Sequence, residues 1–173
     1  MILKPKNLNC NTKEMFRQMA LEVKGLGGQI IFGPVLDLNT NPKNAIIGAR
    51  AFGDDAKKVG HLGEIAVKAL QEEGVSAFVK HFPGHGDVET DSHKATPISN
   101  LKGDDLKNHI SAFEPAIIGG TWGVLVNHVK YSNLDKENNA SFSSKIITDM
   151  LKNEYIYEGV VATDDLGMKA TTE

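Results

Sequence analysis

Four short apolar runs rich in β-branched residues constrain the fold of this chain more than any other feature. Each run is continuous rather than alternating, which is typical of strands that are buried on both faces of a sheet. The runs are QIIFGPVLDL (29–38), VSAFVKHF (75–82), GVLVNHVK (123–130) and GVVATDD (159–165). Helical patterns precede and separate them over residues 11–27, 53–74, 103–120 and 141–155. This alternation predicts an α/β fold of parallel βαβ units with right-handed crossovers.

Each of the four runs ends in polar or charged residues on its carboxyl side. These residues are Asp37 and Asn39, Lys80 and His81, Asn127 and His128, and Asp164 and Asp165. In parallel α/β folds the loops at the carboxyl ends of the strands converge, and that face carries the active site. We therefore expect a functional site built from these residues.

The length of the chain, 173 residues, limits which parallel α/β architecture it can form. A closed eight-stranded (β/α) barrel takes about 250 residues, so four βα units form either an open doubly wound sheet or part of a barrel. The chain ends at GMKATTE, just after a strand and without a helix to cover it. We therefore expect residues 1–173 to form one partial catalytic domain, an incomplete TIM-type barrel with about four strands.

Composition and charge exclude several classes of protein. A content of 40% hydrophobic and 24% charged residues is typical of a globular domain rather than a disordered chain. The formal net charge of −3 offers no basic surface, so we expect no nucleic-acid partner. Cys10 is the only cysteine, which excludes an internal disulfide and a thiolate metal site. We find no signal peptide and no run of about 20 apolar residues, so we expect a cytoplasmic protein without a membrane partner.

The stretch KHFPGHGDVETDSH (80–93) concentrates one lysine, three histidines and two aspartates in a segment interrupted by proline and glycine. Asp91 and His93 are two residues apart, so the carboxylate can accept a hydrogen bond from one imidazole nitrogen. Such a contact fixes the tautomer and raises the basicity of the ring, which suits proton transfer near neutral pH. The alternative is a solvated turn with a surface histidine.

Two further pairs of residues are candidates for the site. Lys80 and His81 provide hydrogen-bond donors for sugar hydroxyls or an anion. Asp164 directly follows VVAT, and strand alternation directs Asp165 to the other side, so only one of the two faces the mouth of the fold. The alternative is that the two aspartates cap a following helix.

A metal site is a minor alternative. His81, His85, Asp87, Asp91 and His93 are possible ligands, but their spacing matches no standard zinc pattern. We therefore expect neither a metal nor another cofactor.

Four ordered blocks between residues 32 and 170 resemble the β-N-acetylhexosaminidase branch of the family 3 glycoside hydrolases. The blocks are FGPVLDLNTNPKN (32–44), GARAFGDD (48–55), KHFPGHGD with the following DSH (80–93), and VVATDDLGMKA (160–170). The resemblance implies a TIM-type barrel. It also implies a hydrolase that removes terminal N-acetylglucosamine, with retention, from cell-wall fragments or related glycosides, as in peptidoglycan recycling.

The resemblance also assigns roles to individual residues. Asp164 matches the nucleophile, His93 matches the general acid/base, and Asp91 matches the partner of that histidine. Arg50, Lys80 and His81 match the side chains that hold the sugar. A retaining mechanism needs a covalent glycosyl-enzyme intermediate and a second group that first gives and then takes a proton.

The sequence departs from the family pattern in two respects. Ala51 stands where the family usually has serine. The family barrel begins with about three further βα units, which carry an acidic sugar-binding residue, and ends with one more strand. The four runs fit roughly strands four to seven, so the chain resembles an interior fragment, a truncated gene product or a degraded copy. We expect it to be weakly active or inactive alone.

Two other functions remain open from the sequence. One is a β-glucosidase of the same family, and the other is a non-catalytic truncated barrel that serves as a binding or interaction module. Both readings share a saccharide as the partner. An incomplete barrel also has open sheet edges, which favour self-association.

Overall fold

Helices and strands alternate along the chain in a computed structural model that describes residues 8–89 and 96–171. The helices are α1 (Leu8–Gly25), α2 (Ala56–Glu72), α3 (Gly103–Ser111), α4 (Glu114–Ile118) and a π-helix (Lys145–Glu154). The strands are β1 (Ile30–Ile31), β2 (Ser76–Phe82), β3 (Ile98–Ser99), β4 (Gly123–Val126), β5 (Lys130–Tyr131) and β6 (Val160–Thr163). Short 3₁₀ turns lie at Gly48–Arg50, Ala140–Phe142 and Lys169–Thr171.

Four of these strands form one parallel sheet in the order β1-β2-β4-β6. Helical segments lie between successive strands of this sheet, as parallel pairing requires. A second, two-stranded parallel sheet pairs β3 with β5. The predicted α/β class with parallel units of an incomplete barrel is confirmed.

The predicted strand over residues 29–38 is wrong in its extent. Only Ile30 and Ile31 pair with β2 in a regular ladder. Pro34 has no N–H to donate to a ladder, although its carbonyl accepts from Lys80 N at 3.1 Å. Val35 then forms an isolated bridge with Lys80, and Leu36 N donates to Lys80 O at 2.7 Å. The segment thus follows β2 beyond the regular strand and brings Asp37 next to it.

The helix predicted over residues 103–120 is two helices, α3 and α4. Pro115 lies in the first turn of α4, where the missing N–H and the fixed φ are tolerated, whereas both would disrupt a continuous helix. The predicted end at the glycine pair is correct, because Gly120 has a φ of +81°.

The core lies around β2 and β4, at the centre of the sheet. Helix α2 packs against this layer and approaches its neighbours closely at Gly63, where a Cβ atom would overlap with the Leu36 side chain. The outer strands are more exposed than their apolar runs predict. Ile30 in β1 is 50% exposed and Val160 in β6 is 53% exposed, because each strand has a partner on one side only among the described residues. None of the helices in the described ranges has the length and apolar character needed to cross a membrane.

Candidate active site

One pocket of about 230 Å³ at the carboxyl ends of the strands brings four of the predicted site residues together. Arg50 ends the 3₁₀ turn between β1 and α2, Lys80 and His81 lie near the carboxyl end of β2, and Asp164 directly follows β6. Ile46, His85 and Met168 complete the lining. Residues that are distant in the sequence thus converge where the strand ends predict a site.

Lys80 and His81 both line this pocket although they are neighbours on a strand, where side chains normally alternate. The peptide bond between Lys80 and His81 is cis, and the register of the ladder between β2 and β4 shifts between Lys80 and Phe82. The backbone therefore departs from a regular strand at these two residues.

A fully buried carboxylate, Asp37, organises the β2 side of the pocket. Its Oδ2 accepts hydrogen bonds from His81 Nδ1 at 2.6 Å and from His81 N at 3.1 Å. Its Oδ1 accepts from His85 N at 2.6 Å. Burial raises the pKa of Asp37, but the neighbouring His81 and these hydrogen bonds outweigh it, and the net shift is downward. Because an ionised carboxylate only accepts, Nδ1 of His81 carries a proton.

The loop after β2 is fixed through its backbone carbonyl groups. Gly84 O accepts from the Tyr131 hydroxyl at 2.6 Å, His85 O from Asn44 Nδ2 at 2.7 Å, and Gly86 O from Asn41 N at 3.3 Å. Gly86 lies so close to the backbone of Leu38 that a Cβ atom would overlap with the Leu38 carbonyl oxygen. The PGHG sequence therefore has a packing reason: a side chain at residue 86 has no space.

Positive and negative charges meet in the pocket without direct pairing. Partial burial lowers the pKa of Lys80, and the charge of Arg50 lowers it further, whereas Asp164 and Asp37 act in the opposite direction. Among the ion pairs within the described ranges, none joins Asp164 to Lys80 or Arg50. The Asp164 carboxylate is therefore near two cations but is not held by either.

The backbone around Asp164 is held by β4 and by the segment that follows it. Asp164 N donates to Val126 O at 2.9 Å. His128 Nε2 lies 3.0 Å from Asp165 O, to which it donates, and its Nδ1 lies 2.6 Å from Ser141 Oγ. Asp165 itself is exposed and accepts from Gly167 N at 2.8 Å. As the strand alternation predicts, Asp164 lines the pocket and Asp165 does not.

The predicted dyad of Asp91 and His93 lies outside the described residues, so its roles stay a prediction. The described chain ends at Glu89 before this segment and begins again at Thr96. Within residues 8–89 and 96–171, no group of three histidine, cysteine, aspartate or glutamate side chains could hold a metal ion.

Sequence reasoning did not find the roles of Asp37 and His85. Asp37 was recognised only as a polar strand end, and His85 only as a possible metal ligand. Their contacts with β2 and the pocket join residues 44 and 48 positions apart, which no local spacing reveals. The available signal was the position of Asp37 at the carboxyl end of an apolar run.

Comparison with known proteins gives consistent matches. The sequence matches the family described as "Glycosyl hydrolase family 3 N terminal domain" over residues 3–173. It is 38% identical to a beta-hexosaminidase of Nitrosomonas eutropha over 153 residues, which cover 88% of this chain and 43% of the relative.

Solved structures show the same similarity in three dimensions. A family 3 beta-N-acetylglucosaminidase from a Paenibacillus species superposes with a TM-score of 0.90 at 39% identity, covering 93% of this chain and 31% of the other. NagZ from Neisseria gonorrhoeae, solved with N-trifluoroacetyl-D-glucosamine, gives a TM-score of 0.85 at 32% identity and covers 91% and 46%. The chain thus spans less than half the length of each of these relatives.

Proposed function

The chain belongs to family 3 of the glycoside hydrolases, and from this membership we propose that it carries the catalytic site of a retaining β-N-acetylglucosaminidase. The substrate would be a saccharide with a terminal N-acetylglucosamine, such as a cell-wall fragment. One observation carries the proposal: Asp164 lines the same pocket as Arg50, Lys80 and His81. A carboxylate facing several hydrogen-bond donors in a small cavity suits attack on a bound sugar.

In this mechanism Asp164 attacks the anomeric carbon while His93 gives a proton to the departing glycosidic oxygen. The bond from the anomeric carbon to the leaving group breaks, and a bond to an Asp164 oxygen forms. His93 then takes a proton from water, and the resulting hydroxide displaces Asp164 with a second inversion. Asp91 would hold the tautomer of His93 throughout.

The sugar would be held mainly by Arg50 and by groups of the β2 side. Arg50 and Lys80 supply several N–H donors for sugar oxygens. His81 is oriented by the buried Asp37, so its ring is in place before a substrate arrives. Such positioning of reacting groups is worth up to roughly 7 to 11 kcal/mol in favourable cases. No metal or cofactor takes part in this proposal.

The names of the relatives favour this activity over a β-glucosidase, because those of the hydrolases quoted above specify hexosaminidase or N-acetylglucosaminidase. A non-catalytic binding module is the alternative from another class. Such a module would bind saccharide without cleaving it. The cytoplasmic location and the lack of nucleic-acid and membrane partners also remain predictions.

Adjacent aspartates allow a sharp test. The chain is incubated with an aryl N-acetylglucosaminide that has a good leaving group, and the released phenol and the mass of the protein are followed. We expect a sugar adduct on the wild type and on Asp165→Asn, whose side chain points away from the pocket, and none on Asp164→Asn. An Asp164 variant that turns over at the same measurable rate as the wild type, or that still forms the adduct, would exclude Asp164 as nucleophile. Faster release from an aryl glucoside would instead favour the β-glucosidase.

The predicted acid/base is tested through the leaving group. His93→Ala should slow the reaction most for substrates whose leaving group needs a proton and least for activated aryl glycosides. An equal loss for both kinds of substrate would remove His93 from this role.

A further inference from the structure

His85 is a buried histidine in the candidate pocket whose ring has no internal hydrogen bond. The residue is 3% exposed and lines the pocket together with Arg50, Lys80 and Asp164. Neither Nδ1 nor Nε2 of its ring has a hydrogen-bond partner in the described part of the chain. Buried polar atoms are nearly always paired, so two unpaired nitrogens on one ring call for an explanation.

The position of this ring is fixed by the backbone around it. His85 N donates to Asp37 Oδ1 at 2.6 Å, and His85 O accepts from Asn44 Nδ2 at 2.7 Å. The ring also packs edge-on against His81, with the ring centroids 6.1 Å apart. The fold therefore holds the imidazole in place at the wall of the pocket while leaving its polar atoms unsatisfied. A molecule in the pocket can supply the missing partner.

The chemistry of the ring indicates the kind of partner. Burial lowers the pKa of His85, so the ring is neutral at pH 7 and has one N–H donor and one acceptor nitrogen. A hydroxyl group both donates and accepts, so it matches a neutral imidazole.

We propose that His85 binds a hydroxyl group of the saccharide and is a fourth sugar-binding side chain beside Arg50, Lys80 and His81. The inference rests on the proposed function and adds a specificity-determining contact to it.

A second buried histidine provides a matched control. His109 is also 3% exposed, its pKa is also lowered by burial, and its Nδ1 has no partner in the described ranges. Its Nε2, however, lies 3.1 Å from Thr40 Oγ1, and the residue packs against Gly84 instead of lining the pocket. The two histidines thus share burial and differ in access to a ligand.

The test is a titration of the 173-residue chain with N-acetylglucosamine. Calorimetry measures the affinity, and the ¹⁵N resonances of the histidine rings show which rings contact the sugar. We expect the His85 ring resonances of the wild type to move on saturation and those of His109 to stay. His85→Phe should bind the sugar about tenfold more weakly, and His109→Phe should stay within about twofold of the wild type. The melting temperature of free His85→Phe should not fall, because phenylalanine buries no unpaired nitrogen.

The outcomes separate this inference from the function on which it rests. If Arg50→Ala loses affinity but His85→Phe binds like the wild type, the inference is wrong and the proposed function stands. Unchanged His85 ring resonances at saturation would overturn the inference even if the phenylalanine variant failed to fold. Absence of any sugar binding by the wild type would overturn both.

Discussion

The two sides of the pocket are built differently. The β2 side, with Lys80, His81 and His85, is tied through the buried Asp37 and through carbonyl groups that accept from two separate segments, one with Asn41 and Asn44 and one with Tyr131. The β6 side carries Asp164 at the end of an outer strand whose residues are half-buried or exposed. The proposed sugar-binding side is therefore held by buried contacts, because it is part of the core. The side that carries the proposed nucleophile depends on a few contacts to its backbone.

The largest loss of stability should come from a side chain added where the loop after β2 packs against backbone. In Gly86→Ala the new methyl group overlaps with the Leu38 carbonyl oxygen, and no side-chain rotation relieves a contact with backbone. We expect a loss of more than about 4 kcal/mol in the free energy of unfolding, measured by urea denaturation. Gly25→Ala is the control, since a Cβ there meets nothing within 4 Å. Equal stability of the two variants would show that the loop after β2 is not close-packed.

The second effect concerns the buried carboxylate. Asp37→Asn replaces an acceptor of three N–H groups, including His81 Nδ1, by an amide that cannot accept on both of its polar atoms. We expect a loss of about 3 kcal/mol in stability together with weaker sugar binding. Asp104→Asn, an exposed carboxylate in the first turn of α3, should change stability by less than about 0.5 kcal/mol.

The pH dependence of stability gives an independent measure of the same interaction. Because the pKa of Asp37 is lowered in the folded chain, its contribution is fully present above its ordinary value of 3.8 and is lost as the pH falls below it. Denaturation at a series of pH values should show this acid loss in the wild type and a smaller one in Asp37→Asn. Parallel curves for both proteins would contradict the ionised state of Asp37.

The strands and helices show which parts of the fold can be predicted from the sequence and which cannot. Runs of β-branched residues located β2, β4 and β6, and the polar residues at their ends located the pocket, because strand burial and strand direction leave local traces. The shortened β1 was missed because Pro34 interrupts a run that is otherwise apolar. The division of residues 103–120 into two helices could have been read from Pro115.

Some residues of the candidate site could also be predicted from the sequence, and others could not. Lys80, His81 and Asp164 were marked by their positions at strand ends, whereas Arg50 came only from the family resemblance. The network of Asp37 depends on the chain after Pro34 running beside β2, which only the folded structure brings about. His85 was missed for a related reason, because unpaired ring nitrogens are a property of three-dimensional surroundings and leave no pattern in the sequence.

A smaller effect should follow from loosening the β6 side. Ser141→Ala removes the partner of His128 Nδ1, and His128 in turn holds the Asp165 carbonyl. We expect a stability loss of about 1 kcal/mol, a slower formation of the Asp164 adduct and an unchanged affinity for N-acetylglucosamine. Ser111→Ala is the control, because its hydroxyl only donates to Asn108 O at an exposed helix end. A loss of affinity in Ser141→Ala would show that the two sides are not separate.

The smallest change in stability and the clearest change in assembly should come from the outer face of β6. This strand and β1 are the outer strands of the described sheet, and both carry exposed apolar side chains, with Val160 53% and Ile30 50% exposed. An outer strand offers backbone N–H and C=O groups to another chain, so we propose that copies of this chain associate along these edges. Lysine on such a strand opposes pairing, since its charge would have to lie against the strand of the second chain. Val160→Lys should therefore shift the sedimentation coefficient toward that of the monomer while stability changes by less than about 1 kcal/mol.

Ile118→Lys introduces the same charge at a residue that is 80% exposed and lies at the end of α4, away from both edges, so it should leave association unchanged. A wild type that stays monomeric as its concentration is raised would refute edge association. Equal effects of the two lysine variants would attribute the association to net charge and not to the strand, and the β6 side would then differ from the β2 side in its buried contacts alone.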